Sequence, residues 1–291
     1  MILVTGATGF VGSHVINKLE ETGQKYKCFV RNTSDTTYLK SKNIELVYGS
    51  FDEPDSYNRA LEGIDTLINI ASLGFGHAET IVGGAVRNGV KRAIFVSTTA
   101  LFTTLEAKTK SVRIAAEKAI TDSGLDYTIL RPTMIYGTHK DRNMCRLIKI
   151  INGYPLIPIA GDGNSLQQPI HVEDLAEAIV KVVHVSYTIN KAYNLSGKYP
   201  VSYNQVIDTI VTDLNKNIFK LKVNTEIAIK LVKLYNRFSS NPKIKVEQLL
   251  RLNENKSFDH QEASRDFGFS PRSFEEGIRQ EISLMRSLQL V

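Results

Sequence analysis

A chain of 291 residues with 42% hydrophobic and 23% charged residues is long enough for one large or two small domains, and it is neither disordered nor fibrous in composition. The net charge of +6 accompanies no nucleic-acid module, no apolar run approaches the ~20 residues of a membrane-spanning helix, and an apolar strand starting at Ile2 leaves no room for a signal peptide, so a cytoplasmic protein is expected. The two cysteines, Cys28 and Cys145, lie far apart and form no metal-type cluster, which excludes a disulfide framework and a metal centre as first readings.

The first element carries the strongest signal. Ile2-Leu3-Val4 runs into Thr5-Gly6-Ala7-Thr8-Gly9-Phe10-Val11-Gly12, and an amphipathic stretch follows. This predicts a strand, a tight turn and a helix start. Gly6 lets the chain turn off the strand. Gly9 lets backbone N–H groups approach a diphosphate, and Gly12 lets the helix pack closely on the sheet. The helix start, with Phe10 and Val11, offers N–H groups and a partial positive charge to an anion. The bland reading of the same triplet is a Gly-rich turn.

Strands are then expected near 26–31, 44–48, 65–70, 92–97 and 126–130, and helices near 11–22, 54–61, 78–89 and 108–122. The strands are continuous apolar runs such as Ala93-Ile94-Phe95-Val96, which suit a parallel sheet buried on both faces. Gly23, Asn88-Gly89 and Ser123-Gly124 are helix stops. The alternation predicts an α/β fold of the Rossmann type, a doubly wound parallel sheet.

The pattern changes after Pro132. Loops, one helix near 141–152, another over 171–185 and a mostly helical tail from 202 predict a smaller C-terminal lobe. The expected division is a dinucleotide-binding domain over 1–130, rejoined by 170–195, and a substrate lobe over 131–169 and 196–291, packed over the strand ends. Residues 216–256 hold ten Lys or Arg against three Glu. Within them, Lys230, Lys233 and Arg237 share a face of an amphipathic stretch; this reads either as a solvated helix face or as a surface for an anionic partner or membrane interface.

Five landmarks in order resemble the extended short-chain dehydrogenase/reductase family of nucleotide-sugar epimerases and dehydratases. They are Thr5 to Gly12, Val96-Ser97-Thr98-Thr99-Ala100, Leu130-Arg131-Pro132-Thr133-Met134-Ile135-Tyr136-Gly137, Pro169-Ile170-His171-Val172-Glu173-Asp174, and Phe267-Gly268-Phe269-Ser270-Pro271. One landmark is missing. Anchored on Glu117, the family's catalytic tyrosine position holds Thr109 and its lysine position holds Arg113, and no tyrosine occurs between Tyr57 and Tyr127. Arg113 keeps a charge and ribose hydrogen bonds but cannot shuttle a proton. This departure, the short segment from Thr99 to Thr109, and Asp141-Arg142-Asn143-Met144 resemble the atypical branch, which includes relatives of an accessory subunit of respiratory complex I.

The resemblance implies a nicotinamide cofactor bound by Gly6, Thr8, Gly9, Phe10, Val11, Gly12, Arg31, Ser50, Phe51, Ala71, Ser97, Arg113 and Pro132. Arg31 at the end of strand two, where no acid stands, favours NADP over NAD, although it also suits stacking on adenine. Ser50 takes the place of an Asp that meets the adenine amine. Thr99 is the candidate for polarising a substrate oxygen or for bonding backbone; Tyr136 is a candidate proton carrier or a packing residue. With Arg113 they make up the catalytic set. His77, Arg142, Asn143 and Gln168 are candidates for substrate contact, and the substrate implied is a small molecule, a nucleoside-diphosphate sugar. Relatives pair through the helices near 78–89 and 108–122, which implies a homodimer. The leading function is an NAD(P)-dependent nucleotide-sugar epimerase or keto-sugar reductase. The alternatives are a non-catalytic NAD(P)-binding sensor or assembly protein, and a quinone- or aldehyde-type reductase.

Overall fold

The computed structural model describes residues 1–105, 108–238 and 246–291. By contacts the chain divides into two compact units. Unit 1 comprises Met1–Thr133, Val172–Leu195 and Asp259–Ser270; unit 2 comprises Met134–His171, Ser196–Phe258 and Pro271–Val291.

Unit 1 is built on a seven-stranded sheet. Its strands are β1 (Ile2–Thr5), β2 (Tyr26–Val30), β3 (Glu45–Tyr48), β4 (Thr66–Asn69), β5 (Arg92–Val96), β6 (Asp126–Pro132) and a last strand, Lys191–Leu195. The order from one edge is Lys191–Leu195, β6, β5, β4, β1, β2, β3, and every pairing is parallel. Strand order reverses between β1 and β4, which opens a crevice at their carboxyl ends. The chain is thus an α/β Rossmann-type protein.

The helices follow from local signals. α1 (Phe10–Thr22) buries Gly12, Val15, Ile16 and Leu19, one face at helical spacing, and ends at Gly23 with φ of 66°. α2 (Thr37–Ser41) is short; α3 (Pro54–Leu61) opens on a proline; α4 (Ala78–Arg87) and α5 (Lys108–Thr121) complete the set. Leu3, Phe29, Leu67, Phe95 and Ile129 meet Tyr57, Ile81 and Ile120 of the last three helices in one core. The alternate residues Val4, Cys28, Ile68 and Ile94 are equally buried. That double burial is why these strands read as unbroken apolar runs. α1 packs on the helix Val172–Lys181.

The strand Lys191–Leu195 adds an edge to the sheet beyond the expected strands. Its sequence, Lys-Ala-Tyr-Asn-Leu, lacks an apolar run because it lies at the sheet edge. It also explains why 259–270 falls in unit 1: Lys191 Nζ and Tyr193 Oη donate to the Asp266 carboxylate at 2.9 and 2.8 Å.

Unit 2 contains the helices Met144–Gly153, Tyr203–Leu214, Thr225–Phe238, Val246–Leu252 and Phe274–Ser287. Its core includes Tyr136, Ile148, Ile159, Ile207, Phe274 and Met285. The tail is not wholly helical. Phe219–Val223 is a strand paired in parallel with Leu156–Ala160. The alternation Phe-Lys-Leu-Lys-Val carried that signal. Part of the basic segment 216–256, residues 239–245, lies outside the described residues.

Candidate dinucleotide site

The glycine loop joins β1 to α1. Gly6 adopts φ of 76°, a left-handed conformation that favours glycine, and a Cβ there would stand 2.7 Å from the Ala71 backbone nitrogen. A Cβ on Gly12 would lie 2.2 Å from the Gly6 carbonyl oxygen. The two positions therefore bring the loop, the first turn of α1 and the segment after β4 into contact that admits no side chain. Gly9 N–H donates to Gly6 O, and the first bond of α1 is Ser13 N–H to Gly9 O, at 3.0 and 3.1 Å. Phe10, Val11 and Gly12 thus present N–H groups with no backbone acceptor among the described residues. No acidic side chain stands in this first turn, and no side chain caps it. A helix start without an anion of its own, behind a cradle that only glycine fits, suits the diphosphate of a dinucleotide.

A buried polar bridge supports the loop from below. Thr5 Oγ1 donates to Asn69 Oδ1 at 2.7 Å, and Asn69 Nδ2 donates to Ala71 O at 3.0 Å. Both side chains are fully buried. This links the ends of β1 and β4, the two strands that flank the crevice. The sequence signal for Asn69 is an amide ending the otherwise buried run Thr-Leu-Ile-Asn.

Arg31 lies just past β2 and is exposed. Cys28 within β2 is fully buried, and burial pushes its thiol up to about 12. Past β3, Ser50 is occupied locally. Its hydroxyl donates to Asp52 Oδ2 and accepts from Asp52 N–H, both at 3.2 Å. Phe51 packs on Phe29 and Tyr57 with centroids 5.4 and 5.1 Å apart. His77 stands over Phe51 at 5.7 Å, with Nδ1 3.7 Å from Asp52. The structure therefore gathers Ser50, Phe51, Asp52 and His77 into one corner beside the ends of β2 and β3. His77 is a neighbour of the expected adenine end in this arrangement.

Past β5, Ser97 Oγ donates to Glu117 Oε1 at 2.5 Å. Arg131 grips the same carboxylate in bidentate fashion, with Nε at 3.0 Å from both oxygens and Nη2 at 2.5 Å from Oε2. Glu117 is 8% exposed. The pair clamps α5 to the ends of β5 and β6, and fixes Ser97. Thr99, also buried, donates from Oγ1 to Pro132 O at 3.3 Å. Its hydroxyl is engaged by backbone. The Arg113 guanidinium lies against Gly74, where a Cβ would stand 2.9 Å from Nε.

The remaining candidates belong to unit 2. Tyr136 is 1% exposed; its hydroxyl points at Phe274 O and lies where a Cβ on Gly277 would be, and its ring packs edge-on against His171. That is a core position, the packing alternative of the two readings of this residue, with the hydroxyl turned to backbone. Gln168 is 5% exposed, and its amide brackets backbone, donating to Gly197 O at 2.8 Å and accepting from Phe258 N–H at 2.9 Å. Its polar atoms serve chain crossing. Arg142 and Asn143 are exposed beside Asp141, whose carboxylate accepts the N–H groups of Asn143, Met144 and Cys145 and caps the helix Met144–Gly153. Glu281, fully buried, accepts the Gly137 N–H at 3.1 Å, and burial together with the Asp141 carboxyl pushes it up to about 10. Among the described residues no group of three or more His, Cys, Asp or Glu is placed to hold a metal. Nor is any helix among them long and apolar enough to cross a membrane.

The parallel sheet with its reversal point and glycine cradle defines a Rossmann-fold dinucleotide-binding protein of the short-chain dehydrogenase/reductase kind. Residues 6–185 match the NAD(P)H-binding family, and the chain belongs to it. It is similar to the mitochondrial NADH dehydrogenase (ubiquinone) 1 alpha subcomplex subunit 9 of Dictyostelium discoideum, 24% identical over 268 residues, 84% of this chain and 73% of that protein. It is also similar to quinone oxidoreductase 2 of Escherichia coli, 26% identical over 229 residues, 75% of this chain and 76% of that one. Among solved structures, the UDP-glucose 4-epimerase of Thermotoga maritima with UDP-glucose superposes with a TM-score of 0.76 at 18% identity, over 99% of both chains. That likeness is one of fold.

Proposed function

We propose that the chain is an NADP(H)-dependent reductase that delivers hydride to an acceptor needing no proton from the protein, a quinone being the acceptor class that fits best. The observation that carries this reading is α5 and its surroundings. Thr109 and Arg113 stand where the wider family has its tyrosine and lysine, and the nearby Thr99 hydroxyl bonds Pro132 O. Threonine is too weak an acid to protonate an alkoxide near neutral pH, and guanidinium does not give up its proton. A quinone accepts hydride to give a phenolate-type anion, with basicity near the ~10 of a phenol, and takes its proton from water. The similarity to a quinone oxidoreductase supports the same class.

The cofactor supplies the hydride when bound. Phe10, Val11 and Gly12 N–H groups would hold its diphosphate and Arg31 its 2′-phosphate; Arg113 would supply a fixed positive charge near the nicotinamide ribose. Glu117 and Arg131 neutralise one another and keep the end of β5 in place.

The nucleotide-sugar reading, an epimerase or keto-sugar reductase, draws on the epimerase fold likeness over 99% of the chain. An assembly role without turnover draws on the complex I subunit. One experiment separates the three. The purified chain with NADPH is followed at the nicotinamide absorbance band against short-chain quinones and against UDP-4-keto-sugars. Oxidation with quinones alone is expected. Turnover with the sugars alone overturns the reading. NADPH binding with no oxidation by either class leaves the assembly role.

A further inference from the structure

We infer that unit 2 docks on an anionic lipid surface through the helix Thr225–Phe238 and the strand that precedes it. The helix buries Ala228 and half-buries Ile229 and Val232 on its inner side. On its outer side Ile227, Leu231 and Leu234 are 54, 57 and 55% exposed. At 100° per residue these three fall within an arc of about 60°. Lys230, Lys233 and Arg237, all exposed, fill the neighbouring arc, also about 60° wide. The helix's one acid, Glu226, sits in its first turn.

Exposed apolar residues also occur upstream along the chain. The strand Phe219–Val223 leads into the helix through Asn224, whose side chain accepts the Glu226 N–H at 2.9 Å. Phe219 and Leu221 are 63 and 42% exposed, and Leu156, paired with Phe219, is 44% exposed. Lys220 is turned away onto Asp208 at 2.6 Å. Exposed large apolar side chains therefore recur on the strand pair and on the helix that follows it, and those of the helix are flanked by cations. Isolated exposed apolar residues need no explanation, but a contiguous stripe does.

Charge and shape decide the occupant. A second copy packed antiparallel on this stripe would bring the flank of Lys230, Lys233 and Arg237 against its own copy, a net repulsion that the one acid of that flank, Glu226, offsets only in part. A convex aliphatic stripe beside long basic side chains matches a bilayer interface. The stripe enters the acyl boundary, and the lysines reach the anionic headgroups. The segment 216–256, ten basic residues against three acidic, has the matching sign. The inference does not depend on the reaction: it stands even if the chain turns nothing over.

The test is co-sedimentation of the full chain with vesicles of phosphatidylcholine and phosphatidylserine at roughly three to one, and with pure phosphatidylcholine. Binding to the anionic vesicles alone, weakened by salt, is expected. Lys230→Ala with Lys233→Ala should weaken it ~25-fold, about fivefold per charge. Leu231→Asp with Leu234→Asp should abolish it, while NADPH affinity and the circular dichroism spectrum stay those of the parent chain. No sedimentation, equal binding to both vesicles, or retained binding by the Leu231→Asp and Leu234→Asp chain overturns the inference. So does a stable dimer in light scattering that this double substitution dissociates, which would assign the stripe to a second copy.

Discussion

Glu281→Gln should stabilise unit 2 at neutral pH, and increasingly so as pH rises. Glu281 is fully buried, and burial together with the Asp141 carboxyl holds it far above its ordinary 4.5. In the folded chain it keeps its proton at pH 7; in the unfolded chain it loses it. Folding must therefore take up a proton, about 2.5 pH units above 4.5. At about 1.4 kcal/mol per unit this costs about 3 kcal/mol. That figure depends only on the unfolded value and the pH while the folded group remains protonated. An amide is neutral in both states, offers an acceptor to the Gly137 N–H and a donor toward Asp141, and avoids the cost. Allowing for imperfect amide geometry, the gain at pH 7 should be about 1–3 kcal/mol. The sign with pH is fixed: the folded value is raised, so the parent chain loses stability between pH ~5 and ~9 relative to the variant, by about 1.4 kcal/mol per unit. Urea unfolding of both proteins at stepped pH, followed by far-ultraviolet circular dichroism, measures the difference. A difference that does not change with pH, or a variant less stable than the parent at pH 7, would refute a protonated Glu281.

Gly12→Ala places a Cβ against the Gly6 carbonyl, backbone on backbone, so NADPH affinity in a fluorescence titration should fall at least ~tenfold, with ~1–3 kcal/mol of overpacking lost in stability. Arg31→Ala should weaken NADPH by ~10- to 100-fold, the worth of a charge-assisted bond, and leave NADH nearly unchanged; equal loss of both would assign Arg31 to adenine stacking instead. Arg131→Leu strands the nearly buried Glu117 carboxylate and should lower stability by ~3 kcal/mol in thermal unfolding, with only partial rescue by Arg131→Lys, which cannot bond both oxygens in the same plane. Lys191 and Arg265 hold the Asp266 carboxyl well below the usual range, so the stability it adds is present above pH ~4 and lost as pH falls further; Asp266→Asn should remove that acid-limb dependence.

What the sequence shows plainly is local. The glycine cradle is legible because all its parts lie within eight consecutive residues, and the buried strands because burial on both faces demands unbroken apolar runs. Edge and paired strands are harder to read. Lys191–Leu195 buries only Tyr193 and Leu195 and carries Lys191 and Asn194, so it shows no unbroken apolar run, and Phe219–Val223 is short and followed by a helix. The clamp of Ser97, Glu117 and Arg131 joins residues 14 and 20 positions apart, and only the adjacency of β5 and β6 makes them neighbours. Tyr136 shows the limit most clearly. The motif Leu130 to Gly137 has the same spacing whether its phenol faces a substrate or a core. What decides is Phe274 and Gly277, the former 138 residues downstream. With that phenol in the core, Thr109 where a tyrosine would stand and Thr99 bonded to backbone, the proton donors the wider family relies on are missing from the positions where the sequence directs attention.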